Sequence, residues 1–407
     1  MIKRLLGAQW LAIAFVGGVS FALSVFIARR FGPETFGVYA QALSLGALSG
    51  ILIDGGFGKL LIRETVRASP LLAKHGGDLR AFAFGHAYMV TAFLALLAVM
   101  NPLSLHWPTL LATVGAFGAG VLGQFSMAIL RGQGRLMRDA LWQMVSRTLT
   151  AGCIAMALWW GADAPWEVLA AQFAGALLLL LVLMRKGWVL PVFRISGQIY
   201  AVVLPLIWLD LATVIYFRSD ILLFKLMEVP KADVGAYSVA FRLIEACLLL
   251  ASPVSLLLFR RFRLNAETIG HETIWKVVRL AALAGGVGLL VFLLALPVAD
   301  LFFPVVFGEG FGSAGGLFKV LALMLVFALA NGVLGQGVFA LGLDRHYVWT
   351  ATVAAVFNVA GNLLLMPAYG AWAAAWMTVA TEVVLGLGLS AALFVAWKKK
   401  DYAKQAE

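Results

Sequence analysis

The chain has 407 residues, 62% of them hydrophobic and 13% charged, with a mean hydropathy of +0.95. Soluble domains carry about a quarter charged residues, so an ordinary soluble enzyme is excluded. Lys and Arg number 31 against 20 Asp and Glu, a net charge of +11. That balance would suit nucleic acid only if the basic residues formed a patch.

A membrane-crossing helix needs about 20 mostly apolar residues. Such runs fall at 8–28, 38–58, 81–100, 109–130, 140–160, 166–184, 200–224, 234–259, 277–298, 316–341, 347–366 and 372–396. The pattern predicts an all-α polytopic membrane protein with about twelve transmembrane helices. The first run is long enough to span and is followed at once by another, so it reads as a span rather than a cleaved signal peptide. With a cytoplasmic amino terminus, 24 of the 31 basic residues fall at inner loops and ends, among them Lys59, Arg63, Lys74, Arg131, Arg185, Lys186, Arg260, Arg261 and Lys398. Only Arg29, Arg30, Lys225 and Lys231 fall outside, and Arg218, Arg242 and Lys319 fall within the apolar layer. This asymmetry is the positive-inside signal, and it predicts both termini cytoplasmic. The positive charge therefore labels topology, and no nucleic-acid partner is expected. Cys153 and Cys247 fall mid-helix in different halves and read as small apolar side chains.

The chain contains an internal repeat. Gly37 and Gly235, Tyr39 and Tyr237, and Arg63 and Arg261 are each separated by 198 positions. Both stretches run from an outer turn through a span to a basic inner loop. The expectation is two parallel six-helix lobes, 1–195 and 196–407, the arrangement of alternating-access transporters.

Ionisable groups within spans are costly, at least ~2.5–3.5 kcal/mol each near the bilayer centre, and should face one another or a wet cavity. They are Asp54, Asp210, Arg218, Asp220, Arg242, Glu245, Lys319 and Glu382, five of them on the seventh and eighth spans. Arg242 and Glu245, three apart, share a helix face and can neutralise each other, whereas Arg218 and Asp220, two apart, point to different sides. Asp210, Thr213, Phe217 and Asp220 form a mostly polar stripe, and Pro205 and Pro253 interrupt these two spans. Asp54, in Asp54-Gly55-Gly56-Phe57-Gly58, either caps a helix or serves the site. Arginine in a cavity suits an anionic ligand, since its planar fork grips phosphate oxygens. Arg218, Arg242 and Lys319 are thus candidate substrate contacts. Asp54, Asp210, Asp220, Glu245 and Glu382 are candidates for ion coupling or a charge network. Asn331, Gln336, Asn358 and Asn362 can hydrogen-bond sugar hydroxyls or join helices to each other.

Enzymatic motifs are missing. Gly310-Phe311-Gly312-Ser313-Ala314-Gly315 fits the dinucleotide pattern but follows no strand, and Gly58-Lys59 lacks the rest of a P-loop. The five histidines show no metal-ligand spacing. No enzyme and no metal or organic cofactor is expected.

Ala28-Arg29-Arg30-Phe31-Gly32-Pro33-Glu34-Thr35-Phe36-Gly37-Val38-Tyr39, then Asp54-Gly55-Gly56 and Arg63-Glu64, carry a family resemblance in the first half. Arg218-Ser219-Asp220, Val234-Gly235-Ala236-Tyr237-Ser238, and Asn362-Leu363-Leu364-Leu365-Met366-Pro367 with Gly370-Ala371 carry it in the second. The chain resembles the polysaccharide-transporter (Wzx-like) branch of the multidrug/oligosaccharidyl-lipid/polysaccharide exporter superfamily. The resemblance implies a V-shaped twelve-helix bundle in the bacterial cytoplasmic membrane. It implies a flippase for undecaprenyl-pyrophosphate-linked oligosaccharides, coupled to a proton or Na+ gradient. Its partners would be membrane lipids and the polymerase and glycosyltransferases of the same pathway. A cation-coupled multidrug antiporter, a lipid II flippase and a non-transporting scaffold subunit are the alternatives; the buried charges disfavour the scaffold.

Overall fold

A computed structural model describes residues 2–66, 79–101, 106–184, 191–193, 196–264 and 271–405. Lys74, Arg185 and Lys186 lie outside these residues, and the side chains of Thr213, Phe217, Pro253, Arg260 and Arg261 lie outside those described.

The described chain is helical throughout. It forms α1 Ile2–Asp54, α2 Phe57–Val66, α3 Leu79–Met100, α4 Trp107–Gly132, α5 Leu136–Trp159, α6 Pro165–Met184 and α7 Gly197–Leu226. Then follow α8 Lys231–Leu264, α9 His271–Ala295, α10 Ala299–Phe307, a 3-10 turn Glu309–Phe311, α11 Ala314–Ala340, α12 Asp344–Tyr369 and α13 Ala371–Gln405. Each predicted span overlaps one of these helices, but the predicted span 38–58 is interrupted at the Gly55-Gly56 turn and continues into α2, and 277–298 runs past the end of α9 at Ala295. Eight described helices are long and apolar enough to cross a membrane, among them the stretch Trp10–Asp54 of α1. Those 45 residues reach about 67 Å at 1.5 Å per residue, twice a hydrocarbon core of ~30 Å. Gly32, at φ 68° and ψ 174°, breaks the helix between the two predicted crossings, and Pro33 follows where a missing N–H does no harm. Of the remaining predicted spans, α5 is diluted by Gln143 and Arg147, the apolar part of α6 is Pro165–Leu181, and in α7 it is Gly197–Trp208.

Two compact units result: Met1–Phe31 with Val38–Arg218, and Gly32–Gly37 with Ser219–Glu407. The division falls inside α1 and α7, because packing rather than loop position defines it. In the first unit Phe57, Leu60, Leu61, Phe84, Leu122, Phe125 and Val203 bury a core between α2, α3, α4 and α7. Arg30 bonds the carbonyl oxygens of Gly161 and Ala162, so the end of the first crossing and the α5–α6 turn share one side of the unit. The Val192 N–H bonds Ala81 O at the start of α3, on the side predicted to be inner. Trp107, Trp159, Trp160 and Trp166 are exposed at the predicted outer ends, as an interfacial aromatic belt requires.

In the second unit Val277, Val338, Leu389 and Leu393 pack α9, α11 and α13 together. The glycine-rich segment at 310–315 is a packing turn here: Phe311 is buried, with its ring 6.1 Å from Phe307 and 6.0 Å from Phe36.

Candidate functional site

The first unit encloses the site. α1 ends at Asp54, and the chain reverses through Gly55 (φ 55°) and Gly56 (φ 73°), a conformation that side chains with a Cβ adopt at a cost. Asp54 then accepts the N–H of Gly58 at 3.2 Å, capping α2. His86 of α3 holds the turn from the other side. Its Nε2 meets Leu52 O at 2.9 Å and its Nδ1 meets the Tyr200 hydroxyl at 2.8 Å. A carbonyl oxygen only accepts, so Nε2 carries a proton.

Beside this turn lies a cavity of about 570 Å³, lined by Asp54, Lys59, Gln124, Arg131, Gln143, Gln172 and Asp210 together with Ala47, Gly50, Phe117 and Val121. Its volume falls within the range of small-molecule sites, ~300–1,000 Å³. One face of α4 forms the back wall: Phe117, Val121, Gln124, Ala128 and Arg131 step by four, three, four and three, the spacing of a single helical face. Lys59 Nζ sits 2.5 Å from Asp210 Oδ1, joining α2 to α7, and both side chains are part-exposed. Arg131 Nε donates to Asp139 Oδ2 at 3.0 Å, and Gln143 Nε2 donates to the same oxygen at 3.0 Å. Asp139, 1% exposed in the first turn of α5, thus supports two lining residues from behind. The lining carries two carboxylates, two cations and three primary amides. It can bind a polar, hydroxyl-rich ligand bearing an anion, because amides both donate and accept and the cations complement phosphate.

In the second unit the polar residues are engaged with one another. Tyr237 donates to Asp220, which is 4% exposed and also accepts the Ile221 N–H at 2.8 Å. Ser219 donates to Asn358 Oδ1 at 3.1 Å, Asn362 to the same oxygen at 2.9 Å, and Asn358 to Thr381 at 2.9 Å. Asn331 Nδ2 donates to Glu382 Oε2 at 2.7 Å and to its backbone oxygen at 2.8 Å. These bonds tie α7, α8, α11, α12 and α13 together at depth.

Of the residues read from the sequence, Asp54 and Asp210 reach the cavity. Arg242 sits 3.3 Å from Glu245 on its own helix turn, and Lys319 sits 2.5 Å from Asp300. Arg218 and Gln336 are half-buried on α7 and α11. Lys59 and Arg131, which in the sequence mark topology, also line the cavity, and so do Gln124, Gln143 and Gln172, which the sequence reading does not single out. The signal was present: Gln124 and Arg131 are seven apart on an otherwise apolar face, and Gln172 interrupts an apolar run.

The described helices, eight of them long and apolar enough to cross a membrane, define a multi-pass membrane protein. A lipid II flippase MurJ structure in an inward closed conformation is similar, with TM-score 0.69 and 14% identity over 94% of this chain and 86% of that one. An inward-facing MATE-family multidrug resistance transporter gives TM-score 0.62 and 15% identity over 94% and 95%. A transporter of the same superfamily from Pyrococcus furiosus gives TM-score 0.55 and 14% identity over 99% and 96%. No curated protein sequence matches the chain. The family model described as polysaccharide biosynthesis protein matches residues 6–262. The chain belongs to that family, and its fold is similar to that of these transporter structures.

Proposed function

We propose that the protein flips undecaprenyl-pyrophosphate-linked oligosaccharide across the bacterial cytoplasmic membrane, with both termini cytoplasmic. One observation carries the reading: a cavity walled in part by the membrane-length helices α1 and α4 that offers three amides and two cations together. A glycan cannot cross some 30 Å of hydrocarbon unless its hydroxyls find replacement partners. Gln124, Gln143 and Gln172 supply them, and Lys59 and Arg131 meet the pyrophosphate, while the polyprenyl tail stays in lipid. Alternating access moves the headgroup, and Asp54 and Asp210 carry the coupling proton or Na+. Arg218 is a secondary headgroup contact in this scheme, and Arg242 already has a partner in Glu245. Asp220, Glu382 and Asn331 maintain the second unit, and the polymerase and glycosyltransferases of the pathway are the protein's working partners.

The test is reconstitution in liposomes with lipid-linked oligosaccharide supplied inside. Appearance of glycan at the outer face, read by an added glycosidase, is expected in wild type and lost in the Lys59→Ala/Arg131→Ala variant. No appearance with the wild-type protein overturns the proposal. The two carboxylates in the cavity favour one second reading, a cation-coupled drug antiporter. It predicts efflux of a cationic dye and no glycan flipping.

A further inference from the structure

Resting on the reading of this cavity as the headgroup site, we propose that Asp210 is a built-in competitor for the anionic headgroup: it holds Lys59 when the cavity is empty and surrenders it when the pyrophosphate enters. Lys59 and Asp210 lie 2.5 Å apart on different helices, and both line the same cavity. Their exposures, 43% and 32%, leave the pair accessible to an incoming ligand, so neither charge is locked away. A lysine ammonium is a compact charge on a flexible stem that changes partners without a change of fold. A pyrophosphate carries more charge than one carboxylate and outcompetes it. The exchange frees α7 from α2 at Asp210, and α7 is the helix within which the unit division falls, between Arg218 and Ser219, two turns further on. Return of Lys59 to Asp210 then drives the headgroup off, so the pair weakens binding and speeds release.

The experiment measures the affinity of inorganic pyrophosphate for the purified full-length protein by calorimetry, beside liposome flipping of lipid-linked oligosaccharide. Removing the competitor raises the fraction of protein ready to bind, so Asp210→Asn tightens pyrophosphate about three- to fivefold while flipping slows. Asp54→Asn removes the same charge from the same cavity without releasing Lys59, and its gain in affinity is smaller. In a Lys59→Gln background the gain from Asp210→Asn falls to that of Asp54→Asn. Unchanged or weaker pyrophosphate binding in Asp210→Asn, or equal gains in Asp54→Asn and Asp210→Asn, overturns the exchange while flipping by wild type leaves the functional reading standing. A wild type that neither flips the lipid-linked glycan nor binds pyrophosphate overturns both.

Discussion

Gly37 and Gly235 occupy equivalent places in the two halves of the chain, and each lies against the carbonyl four residues before the other. A Cβ at Gly37 would overlap the carbonyl oxygen of Lys231, and one at Gly235 would overlap that of Pro33. Pro33 and Lys231 are themselves separated by the repeat offset of 198. The contact is therefore reciprocal, and all four residues lie in the second unit.

From this reciprocity follows matched sensitivity. Gly37→Val and Gly235→Val each force a backbone shift, and each is expected to cost about 1–3 kcal/mol, as overpacking does. Thermal unfolding of the detergent-purified protein checks this, and a large drop for one variant alone contradicts the symmetric contact.

Removing Asp139 leaves the guanidinium of Arg131 and the amide of Gln143 without the oxygen that both bond. Arg131 is part-exposed, so water recovers some of the loss. Asp139→Ala is expected to cost about 1–2 kcal/mol and Asp139→Asn less, since an amide oxygen still accepts. Melting temperatures in detergent report both.

Transport separates the two sets of cations. Lys59→Ala is expected to reduce glycan flipping about tenfold, equivalent to ~1.4 kcal/mol. Arg242→Ala is expected to stay within about threefold, because its charge is partnered by Glu245 on the same helix. Liposome flipping rates at equal reconstitution decide the matter, and the reverse ranking would move the headgroup site to the second unit.

Stability of the second unit depends on its buried amides. Asn331→Leu deprives Glu382, 3% exposed, of a side-chain and a backbone bond at once. The expected loss is about 2–3 kcal/mol. Glu382→Gln retains an acceptor for Asn331 and is expected to melt closer to wild type; equal losses would argue that shape rather than hydrogen bonding matters there.

Much of the architecture was legible beforehand. Apolar run length is a local signal, and a bilayer enforces it because every backbone group in hydrocarbon must be satisfied within its helix. Arg242 and Glu245 illustrate a site property readable from spacing alone, since neighbours three apart meet in any helix. Asp54 was legible in part: its Asp-Gly-Gly setting signalled a turn, and the structure makes it the cap of α2.

The sequence by itself determined that this chain is a bundle of apolar helices with a few ionisable residues inside its apolar runs. Only the tertiary structure decided which charges on different helices meet. Lys59 finds Asp210 across 151 positions and Asn331 finds Glu382 across 51, while Arg131 turns from a topological marker into a cavity wall. Hydropathy reports how far along the membrane normal a residue lies. The face it presents depends on how neighbouring helices rotate and pack, and that rotation is set by side-chain shapes from distant parts of the chain.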